Sequence, residues 1–572
     1  MKAKLINDNF TENYIPNLLK FYGIEDIEEY LAPSADALQD PEALVNIAEA
    51  EELLRRTCEE KFKILLIVDS DVDGFTSSAI IYQYIKKVYP EVEIDYVLHS
   101  AKQHGLQDHI DWIEEQHGYG LVICPDSSTN DLEYHERLKQ LEIPCLILDH
   151  HLADREISNN AIVVNNQISP DYKNKDLTGA GVVYQFCRYL DKKWGVDYAH
   201  YFIDLAALGI DGDMGSLLNI ENRYIIKTGF ENINNFFFKS LIEKQSFSMG
   251  GKVNPISVAF YIVPLINAMI RVGSPEEKDR CFRAFIDGTV MVPSNKRGAK
   301  GTEELLAIES ARECTNARAH QNRDMDKAVQ QLEVKIFKQG LLDNKILFVR
   351  LDEENFPPEL NGLTAMKLAA KYKKPTVVAR LNNEGYDRGS IRGLNQSELV
   401  SFKDLLTDSG LCEYVQGHDN AAGISIKDDN LAALHEYANE KLKDIDFNES
   451  VYDVNFIREG TDTDIEFIIR DIDNYEGIWG TNVPEPLIYV KNIKANSSNI
   501  QIMGKNKDTV KITYNGIAYM KFHAKEFIEE MEGKDEINLE VIGRGNLNRW
   551  GGLETPQIFI DSYSLINDVL AF

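Results

Sequence analysis

Four acidic clusters stand out along the chain, each closing an apolar run or a small-residue turn. They are Asp69, Asp71 and Asp73 in VDSDVDG, Asp126 in LVICPD, Asp149, His150 and His151 in PCLILDHH, and Asp213 in ALGIDGDMGSL. Hard divalent cations such as Mn²⁺ and Mg²⁺ take carboxylate oxygens, and Mn²⁺ also accepts imidazole. Alternate positions past a strand end can direct several carboxylates into one crevice. If the four segments are neighbours, two cations ~3.5–4 Å apart could share a carboxylate, activate a water and stabilise the transition state of phosphoryl transfer. A lone acidic turn is more often a solvated loop than a metal site. Four clusters in succession fit that bland reading poorly, because so many buried carboxylates repel one another unless cations offset them.

The surrounding elements must bring these residues together. Ile64-Leu65-Leu66-Ile67-Val68 is an apolar run that ends at Asp69 and gives way to the helix TSSAIIYQYIKKVY. EIDYVLH, LVICPD and PCLILDHH read as further strands, separated by the helices DHIDWIEEQH and DLEYHERLKQL. This alternation predicts a parallel sheet covered on both faces, with its working residues at the carboxyl ends of strands. The expected fold class is therefore multidomain α/β. Residues 1–60 read as a helical lead-in, 61–300 as the parallel-sheet domain, and 301–343 as a long connecting helix. A smaller α/β domain is expected over 344–448. From 449 to 572 short strands, DTDIEFIIRDI among them, surround one helical insert, AKEFIEEMEG, and predict an OB-like β-barrel.

The 572 residues are 44% hydrophobic and 27% charged, an ordinary balance for a soluble globular protein. No run of ~18 uninterrupted apolar residues is apparent, so no membrane partner is expected. MKAKLINDNFTENYIPNLLK lacks the apolar core of a secretory signal. The seven cysteines are scattered without a CxxC, which suits reduced thiols in a cytoplasm and argues against a thiolate zinc site. The net charge of -31 runs against nucleic-acid binding, which usually uses a basic surface. An acidic chain can still bind DNA along one basic groove. Lys505, Lys507, Lys511, Lys521, Arg544 and Arg549, interleaved with Tyr514, Tyr519 and Trp550, are the expected track, phosphates being neutralised while bases stack.

In order, VDSDVDG, PD, LDHH and ALGIDGD resemble the four motifs of the DHH phosphoesterase superfamily. The resemblance narrows to the RecJ-like single-stranded-DNA-specific exonucleases. YGIEDIEEYLAPSADALQDPEAL resembles their lead-in, Gly179-Ala180-Gly181-Val182 their GAGV turn, and Glu221-Asn222-Arg223 their ENR. INAMIRVGS, RGSIRG at 388–393 and Gly417-His418-Asp419-Asn420-Ala421-Ala422-Gly423 resemble their later motifs. This implies a DHH catalytic domain, a DHHA1-like substrate-binding domain over 344–448 and an OB-like nucleic-acid-binding domain at the end. It also implies Asp71, Asp73, Asp126, His150 and Asp213 as ligands of two Mn²⁺ or Mg²⁺ ions, with Asp126 as the bridge and Asp69 as a further ligand. Asp149 would orient the imidazoles, and His151 would contact the scissile phosphate or assist the leaving oxygen. A metal-activated water would attack, with no covalent enzyme intermediate. Arg271, Ser390, Arg392 and His418 match positions that face substrate phosphates.

Three departures touch the substrate end. LHSAKQHGL lacks the family's phosphate-binding arginine, for which Lys102 or His104 are the candidate substitutes; Gly393 replaces a serine; and Asp211 precedes Gly212-Asp213. An altered pocket of this kind would be unsurprising in a phage-borne member. The implied function is a metal-dependent 5′→3′ exonuclease of single-stranded DNA, monomeric, with replication or repair proteins as the partner class. Two other readings stand beside it. A small-substrate DHH phosphodiesterase, acting on oligoribonucleotides, cyclic dinucleotides or nucleotide bisphosphates, suits the acidic charge slightly better. A catalytically silent DHH-derived scaffold is the other, and the retained ligands count against it.

Overall fold

The structure, a computed structural model, describes residues 1–100, 103–116, 118–299, 301–351, 358–550 and 552–566. Its internal contacts divide the chain into two compact units, one of residues 19–320 with 476–484, the other of 1–18, 321–475 and 485–572. Strand β1 (Lys2–Leu5) belongs to the latter. The former is built on β2 (Lys63–Val68), β3 (Ile94–Leu98), β4 (Tyr119–Pro125), β5 (Cys145–Asp149) and β6 (Ile162–Asn165). All are parallel, in the order β3-β2-β4-β5-β6. Apart from Lys63, β2 and β5 are buried along their length, as a sheet covered on both faces requires. The connection from β3 to β4 passes back across β2, so the strand order reverses between β2 and β4. In open α/β sheets the crevice beyond the strand ends at such a reversal is where ligands bind. The four acidic clusters lie at that end of the sheet or on the helices facing it.

Helices follow the sheet, then a hairpin of β7 (Met291–Pro293) and β8 (Glu303–Leu305), then the helix Leu306–Lys338, which runs on into the other unit. One segment, Pro255–Val272, is long and apolar enough to cross a membrane by composition, with mean hydropathy 1.6, although Ser257, Asn267 and Arg271 interrupt its apolar residues. It folds as two helices, Pro255–Tyr261 and Val263–Val272, and 56% of it is buried. Its apolarity is that of a core element.

In the second unit, β9 (Leu347–Arg350), β10 (Thr376–Leu381), β11 (Tyr386–Arg392), β12 (Cys412–His418) and β13 (Ala421–Lys427) form a mixed sheet in the order β12-β13-β11-β10-β9. Next comes β14 (Val451–Val454), which pairs in parallel with β1, Lys2 opposite Val451. Residues 2–5, expected within a helical lead-in, are therefore a strand whose partner lies at the far end of the sequence. The chain ends in β15 (Phe456–Glu459), β16 (Leu487–Asn496), β17 (Ile500–Met503), β18 (Thr509–Tyr514), β19 (Ile517–Lys521), β20 (Glu536–Trp550) and β21 (Leu553–Ile566), a seven-stranded sheet in the order β15-β16-β20-β21-β19-β18-β17. DTDIEFIIRDI, expected as a strand, is mostly the helix Ile465–Asn474. Ile465, Ile468, Ile469 and Ile472 are buried at helical spacing, while Phe467 is 63% exposed.

Candidate metal centre

The structure brings Asp69, Asp71, Asp73, Asp126, Asp149, His150, His151 and Asp213 together in overlapping groups whose ligand atoms lie within 4.8 Å of one another. His150 Nε2 is 3.2 Å from Asp126 Oδ1, 3.6 Å from Asp213 Oδ2 and 4.0 Å from Asp73 Oδ2. Asp73 sits in the first turn of the helix Val72–Val88, which Asp71 caps by accepting from Gly74 N at 3.0 Å. Asp73 Oδ1 accepts from Thr178 Oγ1 at 2.9 Å and Ala180 N at 3.0 Å, and Oδ2 from Gly179 N at 2.6 Å. These amides start the helix Gly179–Trp194, where backbone donors lack intrahelical partners and the dipole favours an anion. Glycine is required there, since a Cβ on Gly179 would lie 2.5 Å from Asp126 Oδ1. Asp126 follows β4 in the left-handed region, φ 64°, its amide donating to Leu148 O at 2.9 Å. Asp149 Oδ1 accepts from His150 N at 2.7 Å and His151 Nδ1 at 2.8 Å, and its Oδ2 from Thr129 N at 3.0 Å. Asn165 Nδ2 ties Thr129 Oγ1 to His151 O, each at 2.9 Å.

This arrangement is electrostatically strained without a cation. Burial raises the carboxyls of Asp69, Asp73 and Asp126 above the ordinary range, Asp126 well above it, and the neighbouring carboxylates push Asp126 further. Burial, with Asp73 and Asp71 nearby, pushes Asp213 up to about 8. Burial lowers His150. Asp126 Oδ1 is buried and has no hydrogen-bond partner among the described residues. Burial also opposes charge on His151 and Asp149, yet their mutual hydrogen bond and attraction prevail, raising His151 to about 9 and holding Asp149 below the usual carboxylate range. Carboxylate oxygens with one imidazole, short of positive charge, suit a hard divalent cation such as Mn²⁺ or Mg²⁺. The residues fit the metal.

Residues 63–210 match the DHH family, N-terminal domain, and residues 463–562 match the RecJ OB domain. The chain is 39% identical over 569 residues to the putative SPbeta prophage-derived single-strand DNA-specific exonuclease YorK of Bacillus subtilis, covering 98% of this chain and 97% of that relative. The chain belongs to the RecJ-like DHH family. The single-stranded-DNA-specific exonuclease RecJ of Bacillus subtilis is 25% identical over 539 residues, 91% of this chain and 64% of its own length. RecJ of Thermus thermophilus, solved in complex with Mn²⁺, shares the fold with TM-score 0.71 at 18% identity, over 96% of this chain and 75% of that one.

The remaining expected residues of this RecJ-like chain fall into separate places. Arg271, at the end of the helix Val263–Val272, is depressed in pKa by burial, while the Asp71 carboxylate counters that effect and Arg318 adds to it. Arg318 was not expected, for it sits in a long polar helix with no motif around it. Lys102 lies outside the described residues. His104 Nδ1 lies 2.5 Å from Asp69 Oδ2. Ser390, Arg392 and His418 belong to the second unit, where Ala421 of β13 pairs with both Arg392 and His418, and Gly423 with Ser390. The basic track expected on the C-terminal sheet is shorter than the sequence suggested. Tyr519 is fully buried in the core, so it offers no face for a base. Lys521 Nζ donates to Ile560 O and Asp561 O at 3.1 and 3.0 Å. Arg549 pairs with Asp473 and Glu554, and Arg544 lies 3.4 Å from Asp561. Lys505 and Lys507 are exposed, with Lys511 and Tyr514 half-buried beside them; the Trp550 side chain lies outside what the structure describes.

Proposed function

We propose that this chain is a 5′→3′ exonuclease that hydrolyses phosphodiester bonds of single-stranded DNA with Mn²⁺ or Mg²⁺ at the carboxylate–histidine centre. The observation that carries the reading is the meeting of Asp73, Asp126 and Asp213, from separate segments, within 4.0 Å of His150 Nε2. Asp71, Asp73, Asp126, His150 and Asp213 would hold two ions, with Asp69 adjoining. Asp126 belongs to both the Asp69–Asp71 group and the His150 group, which suits a bridging ligand. Bound there, the ions supply Lewis acidity, activating water and offsetting charge on the phosphate. Asp149 fixes His151 through Nδ1, so Nε2 is left to contact the scissile phosphate or protonate the departing oxygen. Arg271, Ser390, Arg392 and His418 would bind backbone phosphates, guanidinium groups doing so bidentately. The likeness to YorK and RecJ supports single-stranded DNA as the substrate.

The test is a 5′-labelled single strand incubated with the purified chain and Mn²⁺. Mononucleotide release is expected, absent with EDTA and reduced by about 10³-fold or more in Asp126→Asn. Full-length strands persisting beside an active control would overturn the reading. Preferential hydrolysis of dinucleotides would transfer it to a small-substrate phosphodiesterase.

A further inference from the structure

Two large apolar side chains stand outside any core beside the metal centre. Leu152, the residue after His151, is 74% exposed, and Met214, the residue after Asp213, is 69% exposed. Consecutive residues lie only about 3.8 Å apart along the backbone. His150 Nε2 is 3.6 Å from Asp213 Oδ2, so the two segments meet at the centre and bring Leu152 and Met214 next to it.

Both backbones are held in place. His151 O accepts from Asn165 Nδ2 and Leu152 O from Asn130 Nδ2, each at 2.9 Å, while Asp154 N donates to Asn130 Oδ1 at 3.1 Å. Leu152 is therefore fixed in its backbone and left in solvent by its side chain. Met214 closes the helix Ile203–Gly212. Gly215 N donates to Ile210 O at 2.8 Å and Met214 N to Asp211 O at 3.3 Å, the two bonds of a Schellman turn. Just beyond, Ser216 Oγ accepts from Asn482 Nδ2 and Leu217 N donates to Thr481 O, both at 3.0 Å. The turn puts Met214 in the left-handed region, φ 58°, where glycine is the usual residue. A methionine there is strained, and its exposed side chain gains no core packing in return. Strain of that kind collects at functional sites.

We propose that Leu152 and Met214 contact the substrate, packing on the deoxyribose and base of the nucleotides that flank the scissile phosphate. The inference rests on the nuclease reading above and deepens it. A nucleotide presents apolar sugar and base faces next to a charged phosphate, and here apolar side chains stand next to a cation site. Leucine offers no hydrogen-bonding group and methionine only a weak thioether acceptor, so the contact excludes water without reading base edges. It admits any base, and the flexible methionine adapts to each. The competing account is that both are scattered surface residues with no partner.

The experiment uses the full chain with Mn²⁺ and single strands carrying one abasic site at successive positions from the labelled end, beside an unmodified strand. Leu152→Ala removes the leucine contact. Met214→Gly removes the methionine and relaxes the left-handed turn, so its unfolding midpoint should equal or exceed that of the wild type, and lost activity is then not lost folding. The inference expects the double variant to lower kcat/KM about 10-fold on the unmodified strand, chiefly through KM, with Mn²⁺ affinity unchanged. It also expects an abasic site next to the cleaved linkage to slow the wild type, and that penalty to vanish in the double variant. A double variant that matches the wild type, keeps the full abasic penalty or loses Mn²⁺ affinity overturns the inference, as does a wild type indifferent to abasic sites. No cleavage by the wild-type chain would instead overturn the nuclease reading, so the two failures are distinguishable.

Discussion

A carboxylate that is buried, left-handed in its backbone and short of a hydrogen-bond donor is costly to keep, and Asp126 is all three. The cost makes sense if protons occupy the site until a cation replaces them. Asp213 is raised to about 8 and Asp73 and Asp126 are raised with it, so below that pH the metal-free site retains protons that binding must displace. Mn²⁺ affinity is therefore expected to climb with pH through about 8, where Asp213 loses its proton, with proton release visible by calorimetry in buffers of different ionisation enthalpy. An affinity constant with pH, and no proton release, would contradict this. Space is equally tight. A Cβ on Gly209 would lie 2.4 Å from Asp73 Oδ1 and 2.4 Å from Ala180 Cβ. Gly209→Ala should cost about 1–3 kcal/mol in denaturant unfolding and weaken Mn²⁺ binding, because Asp73 must give way. The acids themselves were legible in the sequence, since each ends a strand or a turn and carries obvious chemistry. Arg318 was not, because nothing around it in the sequence marks a site.

The elements that hold the site were legible in kind, less so in detail. The ENR segment shows what the motif does structurally. Asn222, fully buried, donates from Nδ2 to Asp176 O at 2.9 Å and Ser216 O at 3.1 Å, and accepts from Asn174 Nδ2 at 2.9 Å. Asp176 leads into the Thr178–Ala180 donors of Asp73, and Ser216 follows Asp213, so one amide braces two segments of the metal centre. Glu221 beside it accepts from Tyr172 Oη, Asn174 Nδ2 and Gln39 N, each at 2.9 Å. Asn222→Ala should lose about 2–3 kcal/mol of stability and also weaken Mn²⁺ binding; lost stability with unchanged Mn²⁺ affinity would confine the brace to folding. Where the sequence misled was the stretch at 465–474. Its isoleucines favour a strand by propensity, but their i, i+3, i+4, i+7 spacing is that of a helix, and the spacing decided. The four-residue strand β1 left no such trace, since its Lys-Ala-Lys-Leu alternation is too short to read and its partner follows more than four hundred residues later.

At the scale of the molecule, that distant pairing assigns the amino-terminal arm to the carboxy-terminal half of the chain. Beyond β1, Asn7 Nδ2 donates to Asn455 O and Asn9 Nδ2 to Ile457 O, both at 3.1 Å. Arg458, whose side chain is 5% exposed, donates to Asn9 Oδ1 at 2.6 Å, to Phe10 O, and to Asp464 Oδ2 at 2.8 Å. The arm thus supplies neutral acceptors to a buried guanidinium whose charge partner is Asp464, and each hydrogen bond to a charged group contributes about 1.5–3 kcal/mol. Deleting residues 1–12 should therefore destabilise the unit that carries the OB-like sheet and leave the metal centre, which lies in the other unit, able to bind Mn²⁺. The expected outcome is a lower first unfolding transition and early proteolytic loss of the region beyond residue 485, with Mn²⁺ affinity near that of the full chain. Equal loss in both units, or no shift in either, would show that the arm is not held by Arg458 and β14 in the way the hydrogen bonds indicate.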